Sequence, residues 1–262
     1  MTAIPSVLIT GASSGIGATY AERFARRGHD LVLVARDRAR MEASAARLRR
    51  ETGVAIDIIQ ADLTQVGELA AVEARLRDDM RIGILVNNAG ASVGGSFLEQ
   101  ATDDVARIVA LNTTALLRLA SAIAPRLAQA GDGAIINIGS VVGLAPEFGM
   151  TVYGATKAFV LFLSQGLSLE LAPTGVYVQA VLPAATRTEI WERAGTDINT
   201  LSGVMEVGEL VDAALVGFDR REPVTIPPLP DVGQWDALQA VRQAMLPNFR
   251  QEHAAERYRT AA

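Results

Sequence analysis

Seven short runs of aliphatic and β-branched residues punctuate this chain: Val7 to Thr10, Leu31 to Ala35, Ile56 to Gln60, Ile84 to Asn87, Ala134 to Ile138, Val176 to Leu182 and Val224 to Ile226. Each is apolar almost throughout rather than at every second residue, which is the pattern of a strand covered on both faces. Between them lie stretches at helical spacing, Gly15 to Arg27, Arg38 to Glu51, Val66 to Asp79, Thr102 to Ala130, Val152 to Leu171 and Val207 to Gly217. This repeated βα order predicts one α/β domain, a doubly wound parallel sheet of about seven strands with helices on both faces. Such sheets take ligands beyond the carboxyl ends of their strands, so the residues just after each run are where chemistry is expected. Past Pro223 the texture changes. Pro227, Pro228 and Pro230 end the strand region, and Asp231 to Leu246, carrying Trp235 and Leu238, reads as one more amphipathic helix. Residues 227–262 are expected to form a helical appendage to a single domain spanning 1–262.

Composition narrows the chemistry. Half of the 262 residues are apolar and 20% charged, enough to bury a large core, and there is no cysteine. That excludes a disulfide framework, cysteine-ligated zinc, an iron–sulfur cluster and a thiol nucleophile. His29 and His253 are the only histidines, which leaves little material for a Ser-His-Asp triad or a histidine-rich metal site; no metal is expected. A net charge of −5 supplies no basic field for nucleic acid or an anionic membrane, so a small-molecule partner is expected. Met1 to Ala21 carries no charged side chain, but Pro5, Gly11, Ser13, Ser14, Gly15 and Gly17 break it where a signal peptide or membrane span would be continuous. The uncharged Ile82 to Leu98 is broken in the same way by Asn87, Asn88 and glycines. A soluble cytoplasmic protein is the expectation.

The uncharged N-terminus has another explanation in Thr10-Gly11-Ala12-Ser13-Ser14-Gly15-Ile16-Gly17, between the first strand and the first helix. Glycines let the backbone turn tightly and approach a pyrophosphate, whose charge then meets the free N–H groups and positive dipole end of the helix. The G-x-x-x-G-x-G spacing differs from the common G-x-G-x-x-G fingerprint. With T-G-x-x-x-G-I-G at this place in a βα series, the chain resembles the classical short-chain dehydrogenase/reductase family. Further elements are similar: Asp62-Leu63 after the third run, where the family contacts adenine, and Asn87-Asn88-Ala89-Gly90 after the fourth. The resemblance implies a Rossmann-like fold and a dinucleotide held by Thr10, Gly11, Ser13, Ser14, Gly15, Ile16, Gly17, Asp62, Leu63, Asn88, Ala89 and Gly90.

Tyr153 and Lys157 stand four residues apart in Tyr153-Gly154-Ala155-Thr156-Lys157, on one helix face. A phenol with a pKa near 10 is a poor acid–base catalyst at neutral pH. A neighbouring cation favours phenolate, by about 1.4 kcal/mol for each unit of pKa. A half-buried tyrosine beside a solvated lysine is the alternative for this pair alone. Ser140 lies directly after the fifth run, where a hydroxyl can meet a substrate oxygen. Asn112 sits inside a helical stretch that does not favour asparagine; satisfying a local backbone group would also account for it. The resemblance implies that Asn112, Ser140, Tyr153 and Lys157 are the catalytic tetrad. Tyr153 would carry the proton, Ser140 steady the oxygen, Lys157 lower the Tyr153 pKa and hold the nicotinamide ribose, and Asn112 hold a water linking Lys157 to solvent.

NADP(H) is favoured over NAD(H). Val34-Ala35-Arg36 ends the second run, with alanine where the family's NAD-preferring members usually have aspartate, and Arg36, Arg38 and Arg40 could face a 2′-phosphate, although Asp37 lies among them. Pro183-Ala184 stands where the family usually has Pro-Gly, followed by Thr186 and by Thr188, the implied carboxamide contact. Glu189 to Met205 is expected to be a mobile substrate flap. Val141, Val142, Phe148, Met150, Ile190 and Trp191 are expected near the substrate and are apolar, which suits a hydrophobic ketone or secondary alcohol; packing of the flap would use the same residues. Ala158 to Leu163 with Leu167, Leu169 and Leu171 is apolar around most of its helix, so a homodimer or homotetramer is expected, with burial beneath the appendage as the rival. Three functions fit: an NADP(H)-dependent carbonyl reductase or alcohol dehydrogenase, a reductase of carrier-bound 3-oxoacyl chains, and a catalytically silent dinucleotide sensor or scaffold. A sensor would need none of Asn112, Ser140 and Tyr153 for binding.

Overall fold

The computed structural model describes residues 4–259. Its centre is a seven-stranded sheet built from β1 (Ser6–Thr10), β2 (Leu31–Ala35), β3 (Ile56–Gln60), β4 (Ile82–Asn87), β5 (Ala134–Ile138), β6 (Tyr177–Val181) and β7 (Val224–Thr225). The strands lie in the order β3-β2-β1-β4-β5-β6-β7 and every pairing is parallel. The order reverses between β1 and β4, which opens a crevice at their carboxyl ends. β1 is buried from end to end because each of its faces has a cover. Val7 and Ile9 join Tyr20 and Phe24 of α1 (Gly15–Arg26) and Met41 and Leu48 of α2 (Arg38–Thr52). Leu8 points the other way, to Leu69 and Leu76 of α3 (Val66–Asp78) and to Leu119 and Ile123 on the far side of the sheet. Burying each such side chain stabilises the fold by about 1.5–3 kcal/mol relative to exposure.

The expected helix Thr102 to Ala130 forms over that whole span, but not as one regular helix. α4 (Thr102–Val109) passes through a π-helical turn, Ala110–Ala115, into α5 (Leu116–Ala130). By length and composition the span could cross a membrane. Here Leu116, Leu119, Ile123 and Leu127 are buried. Two of its arginines serve neighbouring elements: Arg118 pairs with the buried Glu73 of α3, and Arg126 donates to the carbonyls of Leu76 and Ile82. β7 keeps only two residues, since Pro227 and Pro228 offer no N–H to a ladder.

α6 (Thr151–Leu171) lies on β5 and β6 and is fixed by polar groups as well as apolar ones. Asn87 donates to Asn137 Oδ1 at 3.0 Å, Asn137 donates to Ser164 Oγ at 3.0 Å, and Ser164 donates back to the Val160 carbonyl at 2.7 Å. The chain continues through α7 (Ile190–Arg193) and α8 (Val207–Asp219). Two compact units are distinguished, Met1–Pro227 and Pro228–Ala262. The second consists of α9 (Val232–Ala244), whose N-terminus is capped by Asp231, and two short 3-10 turns; no residue of α9 is buried.

Candidate active site

The glycine-rich turn is held open by a bracket from β4. Thr10 Oγ1 accepts from the N–H groups of Asn88 and Ala89, both at 3.0 Å, and Asn88 Nδ2 donates to the carbonyls of Thr10 and Gly11. Thr10 and Asn88, expected as ligand contacts, thus spend their polar groups on shaping the turn. Two of its glycines are required by space and conformation: Gly11 has φ 65°, and a Cβ on Gly17 would lie 2.3 Å from the Gly11 carbonyl oxygen. Ser14 occupies the N-cap of α1 in an extended conformation without a side-chain cap bond, and the first turn holds no acidic residue. The leading N–H groups of α1 are therefore available to an anion, and the cradle fits a dinucleotide pyrophosphate.

Beyond this turn, Ser140 follows β5 directly, α6 brings Tyr153 and Lys157, and Asn112 ties α6 to the segment after β4. Ser140 donates to the Pro183 carbonyl at 3.1 Å and caps the 3-10 turn Val141–Gly143. That turn sits directly on α6, because Gly143 and Gly154 bear no side chain there: a Cβ on Gly143 would be 2.7 Å from the Ala158 nitrogen, and one on Gly154 would be 3.0 Å from the Val142 oxygen. Lys157 Nζ donates to the Ile138 carbonyl at 2.8 Å and stands 5.5 Å from the centroid of the Tyr153 ring. Asn112 lies in the π-helical turn, 1% exposed, and its amide is fully engaged inside the protein. Oδ1 accepts from Ala91 N–H at 2.9 Å, while Nδ2 donates to the Ala91 carbonyl at 2.9 Å and to Thr156 Oγ1 at 3.1 Å. Its side chain is thus a bracket between strand end and helix.

Gly143, Gly154 and Thr156 escaped the sequence reading. Gly154 left a trace, since a glycine in a helix interior costs about 1 kcal/mol against alanine and calls for a reason in packing. Lys157 left a plainer one: it is the only lysine of the chain, every other basic side chain apart from the two histidines being arginine.

The start of α2 and the segment after Thr188 are joined by charge. Asp37 caps α2 by accepting from Arg40 N–H at 3.0 Å, so its carboxylate is occupied. Arg40 pairs with both oxygens of Glu189, at 2.7 and 2.9 Å, and Arg36 is exposed nearby in sequence. Asp62 accepts from the Thr64 backbone and hydroxyl, at 2.9 and 2.7 Å. The flap closes at its base, where Arg187 N–H donates to Met205 and Met205 N–H to Ala185, both at 2.9 Å. Thr188 lies over Gly15, and Trp191 donates its indole N–H to the Thr186 carbonyl at 2.9 Å. A cavity of about 650 Å³ is lined by this segment itself, by Arg187, Thr188, Glu189, Glu192, Asp197 and Asn199 among others, and by none of Asn112, Ser140, Tyr153 and Lys157. Of the remaining candidates, Val141, Val142 and Met150 flank Ser140 and the start of α6, and Phe148 is 60% exposed.

Burial governs the electrostatics. Desolvation pushes the Tyr153 phenol up to about 12 and the Lys157 ammonium down to about 8. The expected depression of Tyr153 by Lys157 is therefore outweighed in the chain by itself. Between about pH 8 and 10 the unfolded chain keeps a lysine proton that the folded chain has lost, so stability rises with pH. Above 10 the tyrosine term has the opposite sign, since the folded chain keeps a proton that the unfolded chain sheds. Urea titrations of wild type and Lys157→Met without ligand should show the wild-type midpoint climbing relative to the variant from about pH 8 to 10; parallel curves would contradict a desolvated ammonium.

Residues 5–199 match the family model for short chain dehydrogenases. Among solved structures, a short-chain dehydrogenase from Sphingobium yanoikuyae in complex with NADPH is 70% identical, with a TM-score of 0.97, over 98% of this chain and 100% of its own. The bulky-bulky ketone specific alcohol dehydrogenase from Comamonas testosteroni is 64% identical, with a TM-score of 0.92, over 98% of this chain and 99% of its own. The very-long-chain 3-oxoacyl-CoA reductase-A of Danio rerio is 33% identical over 187 residues, 70% of this chain; the match spans 58% of that reductase's length. With a family model covering most of its length and solved relatives at 64–70% identity, the chain belongs to the short-chain dehydrogenase family of oxidoreductases.

Proposed function

We propose that this chain is an NADP(H)-dependent reductase of apolar ketones, reversible as a secondary-alcohol dehydrogenase, with Tyr153 as the proton carrier. The observation that carries the reading is the meeting of Ser140, Tyr153 and Lys157 at the carboxyl end of β5, in a chain 70% identical to a protein solved with NADPH. The bound nicotinamide would supply or accept the hydride; the rest falls to the protein. In reduction Tyr153 donates its proton to the oxygen on which charge develops, and in oxidation it removes that proton. The Ser140 hydroxyl, turned from the Pro183 carbonyl, steadies the same oxygen. Lys157, held by Ile138, keeps a positive charge beside the phenol and within reach of a ribose hydroxyl. Thr188 over Gly15 and the Pro183-Ala184-Ala185-Thr186 segment would border the nicotinamide.

An apolar substrate is supported by the uncharged side chains of Val141, Val142 and Met150 around the tetrad, and by the naming of the Comamonas relative for bulky ketones. Preference for a 2′-phosphate is supported by the buried Ala35 at the end of β2, the Asp37 carboxylate engaged at the N-cap, and two arginines, Arg36 and Arg40, flanking it. Homo-oligomerisation is supported by α6, where Phe162 and Leu169 are 80% and 78% exposed, more than isolated surface residues require.

Tyr153→Phe should lower ketone reduction by about a thousandfold or more while leaving the NADPH dissociation constant within about threefold. Near wild-type turnover would remove Tyr153 from the role, and a preference for 3-oxoacyl thioesters over simple ketones in the same assay would move the substrate class. For the cofactor, Arg36→Ala combined with Arg40→Ala should weaken NADPH by about tenfold or more and NADH little, since a charge-assisted contact to phosphate is lost. Tighter binding of NADH by wild type would overturn the preference. Light scattering should give a dimer or tetramer for wild type and a smaller species for Phe162→Glu; a monomeric wild type would refute the assembly.

A further inference from the structure

Thr156 occupies the position before the active-site lysine and is 3% exposed. Its hydroxyl has one proton to give, and gives it to the Tyr153 carbonyl three residues back, at 2.7 Å. Towards Asn112 the same oxygen can therefore only accept, and Asn112 Nδ2 stands 3.1 Å away. The Asn112 amide and the Ala91 peptide already form a closed pair of hydrogen bonds that needs no third partner to set its orientation. What Thr156 adds is the tie from that pair to α6. The same arrangement recurs two turns along the helix: Ser164 donates back to the Val160 carbonyl and accepts from Asn137 of β5. α6 is thus pinned at two buried hydroxyls, each back-bonded to its own helix and each receiving an asparagine amide from a neighbouring element.

The two pins differ in what lies next to them. Ser164 is two turns beyond Lys157, whereas Thr156 lies between Tyr153, whose carbonyl it holds, and Lys157, whose Nζ rests on Ile138. The partner of the Thr156 pin also borders the catalytic crevice. A Cβ added to Gly90 would meet Asn112 Oδ1 at 3.2 Å and Lys157 Nζ at 3.6 Å, so strand end, asparagine and lysine share one small space. We propose that Thr156 is a positioning residue which, through Asn112 and the Tyr153 carbonyl, sets the distance between α6 and the Gly90-Ala91 strand end, and so the placement of Tyr153 and Lys157 against the reacting atoms. A valine has the same shape but neither donates nor accepts; it leaves one Asn112 N–H buried without its partner and frees α6 to shift. A shift of a few tenths of an ångström is enough to matter for a proton carrier, whose efficiency depends on near-attack geometry.

The proposal rests on Tyr153 and Lys157 being the proton machinery, so its test has one arm that needs no turnover. Because Lys157 is the only lysine, protein grown with lysine labelled at Cε gives a single side-chain resonance whose shift reports its ionisation. In wild type without ligand the midpoint is expected at about 8. In Thr156→Val it should rise towards the usual lysine value as α6 loosens and water reaches the ammonium, and in Thr156→Ser, which keeps the hydroxyl, it should return. In the activity arm, Thr156→Val should lower kcat by about tenfold or more, with KM for NADPH and ketone within about threefold, and Thr156→Ser should recover most of the loss. Thermal melts accompany both arms. If Thr156→Val does not fold, the comparison passes to Thr156→Ala against Thr156→Ser. A lysine midpoint and kcat unchanged in a folded Thr156→Val protein would overturn the proposal, as would a serine variant no better than valine. A wild type inactive on every ketone would sink the proposed function and leave the lysine titration to decide this inference alone.

Discussion

The hydrogen bond from Lys157 Nζ to the Ile138 carbonyl, 2.8 Å long, is the contact on which the site depends. An ammonium removed from water is costly unless its donors are met, and here burial takes Lys157 to about 8. The carbonyl that receives it is the last of β5, and in a parallel sheet with both faces covered the carbonyls at a strand's carboxyl end have no further ladder partner. The fold thus presents an acceptor at the place where α6 brings its lysine. Arginine would not serve there in the same way, being too weak an acid to follow its surroundings, and the chain confines lysine to this one position.

Close approach, more than added side chains, brings the parts together. The Val141–Gly143 turn can lie on α6 only because Gly143 and Gly154 have no Cβ, and the cofactor turn can fold over Asn88 only because Gly11 and Gly17 have none. The side chains that remain at these junctions mostly tie one backbone to another: Thr10 to β4, Asn88 to Gly11, Asn112 to Ala91. The N–H groups opening α1 follow β1 and Ser140 follows β5, on the two sides of the reversal in strand order.

Most strands were legible in the amino-acid order because burial on both sides makes them apolar along their length, while the candidate tetrad was read from residue types at family spacing. What was not legible has a common cause. The π-helical turn at Ala110–Ala115 inserts one residue into a helix whose periodicity on either side is regular, and it is Asn112's bonds to Ala91, 21 residues away, that use the distortion. Asp37 reads as an obstacle to a 2′-phosphate until its carboxylate is seen at the α2 N-cap. Trp191 reads as a pocket residue by hydrophobicity, yet its one polar atom ties it to the base of its own flap. In each case a polar group had several possible partners, and only the fold chooses among them.

The same choice settles in which protonation state the site rests. With Tyr153 at about 12 and Lys157 at about 8, both groups carry their protons at pH 7. That is the form from which the proposed reduction would start, a protonated phenol with a cation beside it. Running the reaction towards the ketone requires the phenol to lose a proton that burial makes it keep, and each unit of that mismatch is worth about 1.4 kcal/mol. Donation in reduction would leave the same phenolate, so burial opposes it by the same amount and sets no preferred direction. For either direction a counter-charge has to come from outside the apolar enclosure, and an oxidised nicotinamide, a cation, would be chemically suited to bring it.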